Sequence, residues 1–393
     1  MADKVSCLII RGGSSKGVFF DRDDLPPSGP DRDRVILNIY GSPDNRQIDG
    51  LGGADKLTSK TAVMGPPTRK DCDIDYLFGQ VMIDSPDVEW ESMCGNISAG
   101  AAVYAVFKGY LPAGDAEAVQ FAIHQVNTGR RLVATVPIAD GLPAVAGNFV
   151  MGGVPGTGAK IDLNFADFSG CILHRGILPT GNPRDEFNVP GEGMVQASVL
   201  DMGNFCIFVR AADVGLDHEQ DIVACQSDTA VIGRLEAIRK VVAAEMGYIT
   251  GPDADEQLRL RMAPLLFAVG RPRPYSTLNG ERIPPDRYDL FSRSITRGVY
   301  SKTHPGSGSI GTGVSAGIEG TIPHEMAAGG PRPVGSNFQL SVGHPGGTLT
   351  VDARLSKGAD GSFQAERAVL GRTARVLMEG AALMSPGIWP EER

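Results

Sequence analysis

The spacing of apolar residues predicts strands at the beginning of the chain. Residues 5–10 are mostly apolar, residues 11–17 form a polar, glycine-rich turn, and a second apolar run follows, which is typical of a strand–turn–strand unit. Residues 31–40 have helical spacing, with Asp31 as a candidate N-cap. Residues 76–84 alternate as a strand does. Further strands are predicted at 119–126, 131–136 and 148–151.

Residues 97–107 differ from these segments because they are apolar on nearly every side and rich in small residues. This pattern predicts a buried helix wrapped by strands, with its N-terminus at 94–97. The second half repeats the plan. Its predicted elements are two strands within 195–209, a helix at 228–246, a buried strand at 265–269, and a glycine-rich turn at 307–313 that leads into 314–318.

A short internal echo accompanies this repetition. Residues 96–100 (Asn-Ile-Ser-Ala-Gly) and 313–317 (Gly-Val-Ser-Ala-Gly) both follow a glycine-containing turn, and we expect both to open a helix. The echo indicates either an internal duplication or the ordinary use of small residues in buried helices. In a duplicated protein, two facing helix N-termini form an anion pocket, because their free N–H groups and dipoles favour negative charge.

Composition is that of an ordinary globular protein and argues against several function classes. The 393 residues are more than one hydrophobic core usually serves, so we expect two domains. Apolar residues make up 42% and charged residues 21%, and the net charge of −9 disfavours binding to nucleic acid or anionic lipid. Only 6% of residues are aromatic, which argues against a surface that stacks bases. We expect neither a nucleic-acid partner nor a membrane partner.

Cysteine spacing favours a cytoplasmic protein. The six cysteines include no CxxC pair, which argues against a zinc site. No apolar stretch is long enough to span a bilayer, and no apolar signal-peptide region follows Met1. We therefore expect free thiols in a reducing compartment.

The glycine-rich turns do not match nucleotide-binding motifs. Residues 308–313 (Gly-Ser-Ile-Gly-Thr-Gly) are not a GxGxxG sequence, and no strand–turn–helix with a following acidic residue supports a dinucleotide site. The phosphate-binding pattern GxxxxGK[ST] is also absent. The sequence therefore predicts no nucleotide cofactor.

The same turns resemble those of a known family. Residues 11–17 (Arg-Gly-Gly-Ser-Ser-Lys-Gly) resemble the RGGTSKG opening of PrpF-like proteins, and residues 58–60 (Thr-Ser-Lys) and 94–96 (Cys-Gly-Asn) resemble two of its later motifs. Other similar segments follow in the same order at 41–44, 47–53, 75–81, 343–349 and 374–380. The resemblance covers nearly the whole chain and is densest before Gly100.

This resemblance implies the fold of diaminopimelate epimerase, which is α/β (α+β) with two similar domains. Each domain is a curved mixed sheet wrapped around a central helix, and the active site lies in the cleft between the domains. We expect a first domain of residues 1–185, joined by the C-terminal tail 372–393, and a second domain of residues 186–371. The family also implies isomerases of small unsaturated di- or tricarboxylic acids.

Such isomerases shift a C=C bond by 1,3-allylic proton transfer through an extended enolate. The reaction needs a base, donors for the developing oxyanion and groups that bind the remaining carboxylates, but it needs no metal and no organic cofactor. By its resemblance to the family's TSK motif, Lys60 is the predicted base. An amine acts as a base only when it is neutral, which burial or a nearby positive charge such as Lys16 favours.

Cys94 is the second predicted catalytic residue, because a helix N-terminus stabilises a thiolate. In epimerases of related fold, the cysteine of this turn is one of a pair. The matching turn here, 307–313, has no cysteine, and no cysteine lies beyond Cys225. Racemisation by two thiols is therefore disfavoured, and Cys94 either returns the proton or positions the substrate.

Residues near these two are predicted to bind the substrate. We expect the backbone N–H groups of Gly95 and Asn96 to bind the oxyanion and a carboxylate. The other predicted substrate contacts are Gly13, Ser14, Ser15, Lys16, Ser59, Ser307, Gly308 and Ser309. Arg11 either pairs with a substrate carboxylate or ties strands together by an ion pair. His304 and His344 lie near turns, where a lone histidine is more often structural than functional.

The predicted substrate, and the main expected partner, is a tricarboxylate of the 2-methylaconitate or aconitate type. 4-Oxalomesaconate and methylitaconate are alternatives, and we expect the protein to act alone or as a homodimer. An alternative of another class is a non-catalytic accessory protein of a dehydratase. A third is an amino-acid epimerase or racemase, against which the missing second cysteine argues.

Overall fold

A computed structural model describes residues 3–216 and 222–390. The chain divides into two compact units: unit 1 is Met1–Val150, Gly156–Leu163 and Arg372–Arg393, and unit 2 is Met151–Pro155 and Asn164–Gly371. Residues 164–185 therefore fall in unit 2, whereas the domain boundary predicted from the sequence lies at 185. The reason is that this segment bonds to unit 2, as when Gly170 N–H donates to the Asp201 carbonyl over 2.8 Å.

The first half of the chain contains most of the strands of unit 1. Its elements are β1 (Lys4–Gly12), β2 (Ser15–Asp21), α1 (Pro30–Tyr40), β3 (Lys60–Gly65), β4 (Ile74–Val81), β5 (Val88–Glu89), α2 (Gly95–Phe107), β6 (Ala118–Gln125), β7 (Arg130–Ala139), β8 (Leu142–Pro143), β9 (Phe149–Val150), β10 (Thr157–Gly158) and β11 (Ile161–Asn164).

The second half contains unit 2 and one strand that returns to unit 1. Its elements are β12 (Asp185–Val189), β13 (Gly193–Asp201), β14 (Phe205–Arg210), α3 (Ile222–Ser227), α4 (Thr229–Glu245), α5 (Ala254–Leu260), β15 (Leu265–Gly270), β16 (Tyr275–Ser276), β17 (Arg282–Ile283), β18 (Leu290–Thr296), β19 (Val299–Tyr300), α6 (Gly306–Ser315), α7 (Ile322–Met326), β20 (Phe338–His344), β21 (Gly347–Lys357), β22 (Phe363–Arg372) and β23 (Ala374–Leu383). Short 3-10 helices lie at Arg22–Asp24, Ala166–Phe168, Ala212–Val214 and Pro285–Arg287.

Unit 1 is a mixed sheet packed around α2. β1 and β2 form an antiparallel hairpin, and β23 pairs with the other edge of β1. β3 runs parallel to β2, β4 is antiparallel to β3, β6 is parallel to β4, and β7 is antiparallel to β6. Every residue from Gly95 to Val106 is buried, because α2 packs against six of these strands. The buried helix predicted at 97–107 is therefore confirmed.

Helix α1 covers the other face of this sheet. The residues that form the apolar cluster between them include Val35, Ile36, Ile39, Val63 and Val81. The helix predicted at 31–40 is confirmed, but its N-cap is Gly29 and not Asp31. Asp31 lies inside the first turn because Pro30, whose fixed φ suits a first helical position, already begins the helix.

Unit 2 repeats the order of pairings found in unit 1. β13–β14 is an antiparallel hairpin, β15 is parallel to β14, β18 is antiparallel to β15, β20 is parallel to β18, and β21 is antiparallel to β20. The buried helix α6 follows the short strand β19 as α2 follows β5, and α4 lies between β14 and β15 as α1 lies between β2 and β3. This repeated topology supports an internal duplication.

The glycine-rich turn predicted at 307–313 is wrong, because these residues belong to α6. The glycines provide space for neighbouring side chains instead of a turn. A Cβ atom on Gly308 would lie 2.3 Å from Phe267 Cζ, and one on Gly313 would lie 2.5 Å from Val351 Cγ1. Residues 313–317 thus lie at the end of α6, whereas 96–100 lie at the start of α2, so the sequence echo does not align the two helices.

Candidate active site

Lys60 is the first residue of β3, and its side chain is buried at 7% exposure. Its Nζ donates a hydrogen bond to Gln80 Oε1 over 2.6 Å and lies 5.1 Å from the centre of the Phe78 ring. Gln80 stands directly opposite Lys60 in the β3–β4 register. The predicted base is therefore enclosed in unit 1 and does not extend into bulk solvent.

Gln80 fixes the orientation of this hydrogen bond. Its Nε2 donates to the carbonyl oxygens of Ser59 over 2.9 Å and of Lys56 over 3.3 Å. Because the amide NH₂ group is directed to these carbonyls, Oε1 must face Lys60, and the amine is the donor between them. A neutral amine has a hydrogen for this bond and keeps its lone pair for a proton from elsewhere.

Tyr40, at the end of α1, holds the backbone at the start of β3. Its hydroxyl donates to the Lys60 carbonyl and accepts from the Val18 N–H over 3.0 Å. The ring is completely buried, and this burial raises the pKa of the Tyr40 hydroxyl. The hydroxyl therefore stays neutral and connects β2 and β3 at the position of Lys60.

Gln47 organises the loop that precedes β3. Its Oε1 accepts hydrogen bonds from Ser59 Oγ over 2.7 Å and from Ala54 N–H over 2.8 Å, and its Nε2 donates to Ser42 Oγ over 3.0 Å. Ser59, predicted as a substrate contact, is completely buried and directs its hydroxyl hydrogen to Gln47. Its side chain thus stabilises the loop before Lys60, and a contact with substrate would require this bond to break.

Cys94 is the N-cap residue of α2. Its side chain is buried and makes no capping hydrogen bond, while its carbonyl accepts from both the N–H and the hydroxyl of Ser98 over 2.9 Å. The N–H groups of Gly95 and Asn96 belong to the first turn, where a helix has no internal acceptors. Burial lowers the pKa of Arg372 to about 10, and the electrostatic interaction of Arg372 with Cys94 opposes this shift. The start of α2 therefore combines a thiol, helical N–H groups and a buried cation.

The sequence does not predict Arg372 as a site residue, although it lies two residues before the family-like segment at 374–380. Its Nε donates to Asn96 Oδ1 over 2.9 Å in a buried contact. Asn96 Nδ2 in turn donates to Ser14 Oγ over 3.1 Å and to Ser15 Oγ over 3.4 Å. Arg372 thus determines which way the Asn96 amide points, and both serine hydroxyls are acceptors toward it.

Two glycines allow the β1–β2 turn to approach the start of α2. Gly13 has a φ of +54°, and a Cβ atom there would lie 2.3 Å from Asn96 Oδ1. A Cβ atom on Gly12 would lie 2.5 Å from the Asn96 carbonyl oxygen. The structure therefore brings Gly13, Ser14, Ser15 and Asn96 together, because no side chain separates the turn from the helix.

Arg11 and Lys16 stand opposite each other in the same hairpin. Arg11 Nη1 donates to the carbonyls of Gly13 and Thr373, each over 2.9 Å, and to Thr373 Oγ1 over 3.0 Å. These contacts favour the structural interpretation of Arg11. The guanidinium group ties the strands together through carbonyl groups and a hydroxyl, and not through the expected ion pair. Lys16 is half-buried, and its N–H donates to the Leu57 carbonyl over 2.9 Å.

In unit 2, the predicted contacts Ser307, Gly308 and Ser309 lie in the first turn of α6. Asn204, in the β13–β14 turn, donates from Nδ2 to Ser307 Oγ over 3.2 Å. A Cβ atom on Gly203 would lie 2.9 Å from the Ser307 carbonyl oxygen. An asparagine–serine hydrogen bond thus joins a hairpin turn to a buried helix in both units.

The two histidines have structural contacts within unit 2. His304 lies between Ser292 Oγ at 3.2 Å and Ser309 Oγ at 3.1 Å, and it stacks on Phe267 with 4.9 Å between ring centres. His344 Nδ1 accepts from the Gly346 N–H over 3.1 Å. These contacts fit the structural interpretation of both residues.

Neither a metal centre nor a membrane helix is found in the part of the chain that the structure describes. Among residues 3–216 and 222–390, no group of three or more His, Cys, Asp or Glu side chains is arranged to hold a metal ion. No helix in these ranges is long and apolar enough to cross a bilayer. All six cysteines are free and buried.

Comparison with known proteins identifies relatives along the whole chain. The profile of the PrpF protein family matches residues 2–385. The chain is 38% identical to 3-methylitaconate isomerase of Eubacterium barkeri over 96% of each chain. It is 37% identical to 4-oxalomesaconate tautomerase of Pseudomonas putida over 98% of each chain, and 35% identical to 2-methyl-aconitate isomerase of Shewanella oneidensis over 96% of each.

Solved structures show the same relationship. The fold superimposes on a crystal structure of methylitaconate-delta-isomerase with a TM-score of 0.80 and 36% identity, covering 100% of this chain and 98% of that one. A hydroxyproline epimerase from Agrobacterium vitis has a TM-score of 0.56 at 11% identity, covering 98% and 94%. The second likeness shows a shared mixed α/β fold, as expected from the resemblance to epimerases.

Proposed function

This chain belongs to the PrpF family, and we propose that it is an isomerase that shifts the C=C bond of a small unsaturated di- or tricarboxylic acid. Three relatives that match nearly the full chain are named isomerases or tautomerases of such acids. The observation that carries the proposal is the buried amine of Lys60, oriented by Gln80 at the start of β3. An enclosed amine with a fixed donor bond suits a base that removes a proton from carbon.

In the proposed reaction, the neutral amine of Lys60 takes a proton from an allylic carbon of the substrate. The electron pair of the C–H bond moves into the conjugated system, so the C=C bond shifts and negative charge collects on a carboxylate or keto oxygen. A proton then returns to the carbon two positions away, which completes the isomerisation with no net change in atoms. A positioned base of this kind usually accelerates a reaction by about 10²–10⁴-fold.

The start of α2 supplies the remaining groups of the proposal. The N–H groups of Gly95 and Asn96 stabilise the developing oxyanion, because helix N-termini favour negative charge. Cys94 either donates its thiol proton to the second carbon, after which Lys60 releases the proton that it took and the thiolate regains one, or it positions the substrate. Ser14 and Ser15, held by Asn96, bind a second carboxylate. Gly13 and Lys16 on the same hairpin, and Ser307, Gly308 and Ser309 at the start of α6, stay predicted substrate contacts.

Sequence identity does not indicate which acid is the substrate, because this chain is between 35% and 38% identical to all three named relatives. We keep a tricarboxylate of the 2-methylaconitate type first, and 4-oxalomesaconate and methylitaconate second and third. The test is proton NMR of the purified protein with each acid in D₂O. We expect deuterium to enter one of them while its vinyl signal moves. An accessory protein without chemistry of its own would exchange none, and that result would refute the isomerase.

A further inference from the structure

Glu89, in β5, is a buried carboxyl group that the proposed reaction does not use. Its side chain is 8% exposed, and its Oε1 accepts hydrogen bonds from Ser92 N–H over 3.0 Å and from Ser92 Oγ over 2.6 Å. Its Oε2 is buried without a hydrogen-bond partner among residues 3–216 and 222–390. Leaving a buried carboxyl oxygen unsatisfied is costly, so a bound molecule that supplies a partner is stabilised there.

The strand register places Glu89 on the same face of the sheet as Lys60. Lys60 stands opposite Gln80 across β3–β4, and Gln80 stands opposite Glu89 across β4–β5. Directly opposite residues share a face, with Cβ atoms about 5 Å apart, so the three side chains form a row. The next pair, Val81 and Val88, packs on the other face with α1. Glu89 therefore lies on the α2 side of the sheet.

The loop after β5 connects Glu89 to the start of α2. Ser92, which donates both hydrogen bonds to Oε1, is two residues before the N-cap residue Cys94. When the carboxyl group carries a proton, that proton belongs on Oε2, because Oε1 already accepts two hydrogen bonds. Glu89 then has an O–H donor at the β5 end of the row, on the strand that leads into the Cys94 turn.

The surroundings favour the protonated form near neutral pH. Burial raises the pKa of Glu89 to about 7, the Ser92 hydroxyl opposes this rise, and the negative charge of Glu91 adds to it. On the same face of β3 and β4, the other titratable side chains are Lys60, opposite Gln80, and Tyr76, whose surroundings include Cys94. The carboxyl group is therefore mainly neutral at pH 6 and mainly ionised at pH 8.

We propose that Glu89 is a substrate-binding residue which, in its neutral form, donates a hydrogen bond from Oε2 to a carboxylate of the bound acid. This inference rests on the isomerase function proposed above. The unpartnered oxygen, the shared sheet face and the nearby Cys94 turn support it. Ionised Glu89 has no hydrogen to donate and repels the same carboxylate, so the affinity for the acid falls as pH rises.

The test compares the wild type with Glu89→Gln, in which an amide NH₂ group stands where Oε2 was and cannot ionise. With whichever acid exchanges deuterium, we expect the wild-type KM to rise about tenfold from pH 6 to pH 8, as the neutral fraction falls. In Glu89→Gln the KM at both pH values should stay near the value that the wild type has at pH 6. Glu117→Gln, at an exposed glutamate of unit 1, is the matched control and should behave as the wild type.

A second measurement does not depend on turnover. Calorimetric titration with tricarballylate, a saturated tricarboxylate, should show binding about tenfold weaker at pH 8 than at pH 6 in the wild type and unchanged in Glu89→Gln. The same pH dependence in both proteins would overturn the role of Glu89, as would lost binding at both pH values in a folded variant. A wild type that isomerises none of the acids refutes the proposed function instead, and the titration still decides the role of Glu89.

Discussion

Glu89→Gln should also remove a pH dependence from the stability of unit 1. Both oxygens of the Glu89 carboxyl group are enclosed, and burial raises its pKa from the ordinary 4.5 to about 7. An unfolded chain hydrates this group, so its carboxyl group ionises near the ordinary value. A group whose pKa is raised by folding stabilises the protein fully below its unfolded pKa and loses that contribution as pH rises through its folded pKa.

The size of this effect follows from the two pKa values. Between pH 4.5 and 7 the unfolded state has released its proton while the folded state keeps it. Each pH unit in that window therefore removes about 1.4 kcal/mol from the free energy of unfolding, which sums to roughly 3.5 kcal/mol over the whole window. Above pH 7 both states are ionised, and the Glu89 contribution no longer changes. A glutamine has no proton to release, so the variant lacks this slope.

Urea denaturation at pH 5 and pH 8 measures how the pH dependence of the free energy of unfolding differs between the wild type and Glu89→Gln. Tryptophan fluorescence reports on unit 1, because Trp90 and Trp389 are the two tryptophans of the chain and both pack in its α1 cluster. We expect the free energy of unfolding to fall by about 2.5 kcal/mol more in the wild type than in Glu89→Gln across this interval. Glu117→Gln should follow the wild type. Parallel pH dependences of the wild type and Glu89→Gln would refute the reasoning.

Three further substitutions test the candidate site and its support. Lys60→Ala should lower turnover at least about 10²-fold, since it removes the proposed general base, and unimpaired turnover in a folded variant would contradict that role. Cys94→Ser should do less harm, measured in the same assay, and a complete loss would reverse the roles of the two residues. Tyr40→Phe should cost about 1–3 kcal/mol in urea denaturation, because the Lys60 carbonyl and the Val18 N–H lose their partner. An unchanged denaturation midpoint would show that other groups satisfy the Lys60 carbonyl and the Val18 N–H.

The elements that the sequence predicted well are those with a local pattern. The buried helix α2 is apolar on every side, and α4 begins at the predicted position because Asp228 accepts from the Val231 N–H over 3.0 Å. Helix α6 was mistaken for a turn because its glycines disfavour a helix locally. Its packing against Phe267 and Val351 requires those same glycines, and this information lies in distant parts of the chain.

The residues of the candidate site also differ in whether the sequence could predict them. Lys60 and Cys94 lie in segments that resemble family motifs, so the sequence alone could indicate them. Gln80 also lies in such a segment, at 75–81, but its contact with Lys60 and the position of Glu89 depend on the registers of β3–β4 and β4–β5, which no local pattern specifies. Arg372 depends on the return of the C-terminal segment to unit 1, where it reaches Asn96 from 276 residues away. Long-range pairing therefore determines the residues that sequence reasoning missed.

The repeated topology of the two units allows the residues at their helix starts to be compared. Both units join a hairpin turn to a buried helix by an asparagine–serine hydrogen bond, but the partners are exchanged: Asn96 is on the helix in unit 1, and Asn204 is on the turn in unit 2. The hydrogen bond between the hairpin turn and the helix start is thus present in both units, but different residues make it. In unit 2, the positions that match the two residues proposed for proton transfer hold Leu265, which begins β15 as Lys60 begins β3, and Pro305, which caps α6 as Cys94 caps α2. A two-thiol racemase needs a cysteine at both helix starts. This difference therefore favours the proposed transfer of a proton between two carbons of one acid by groups of unit 1.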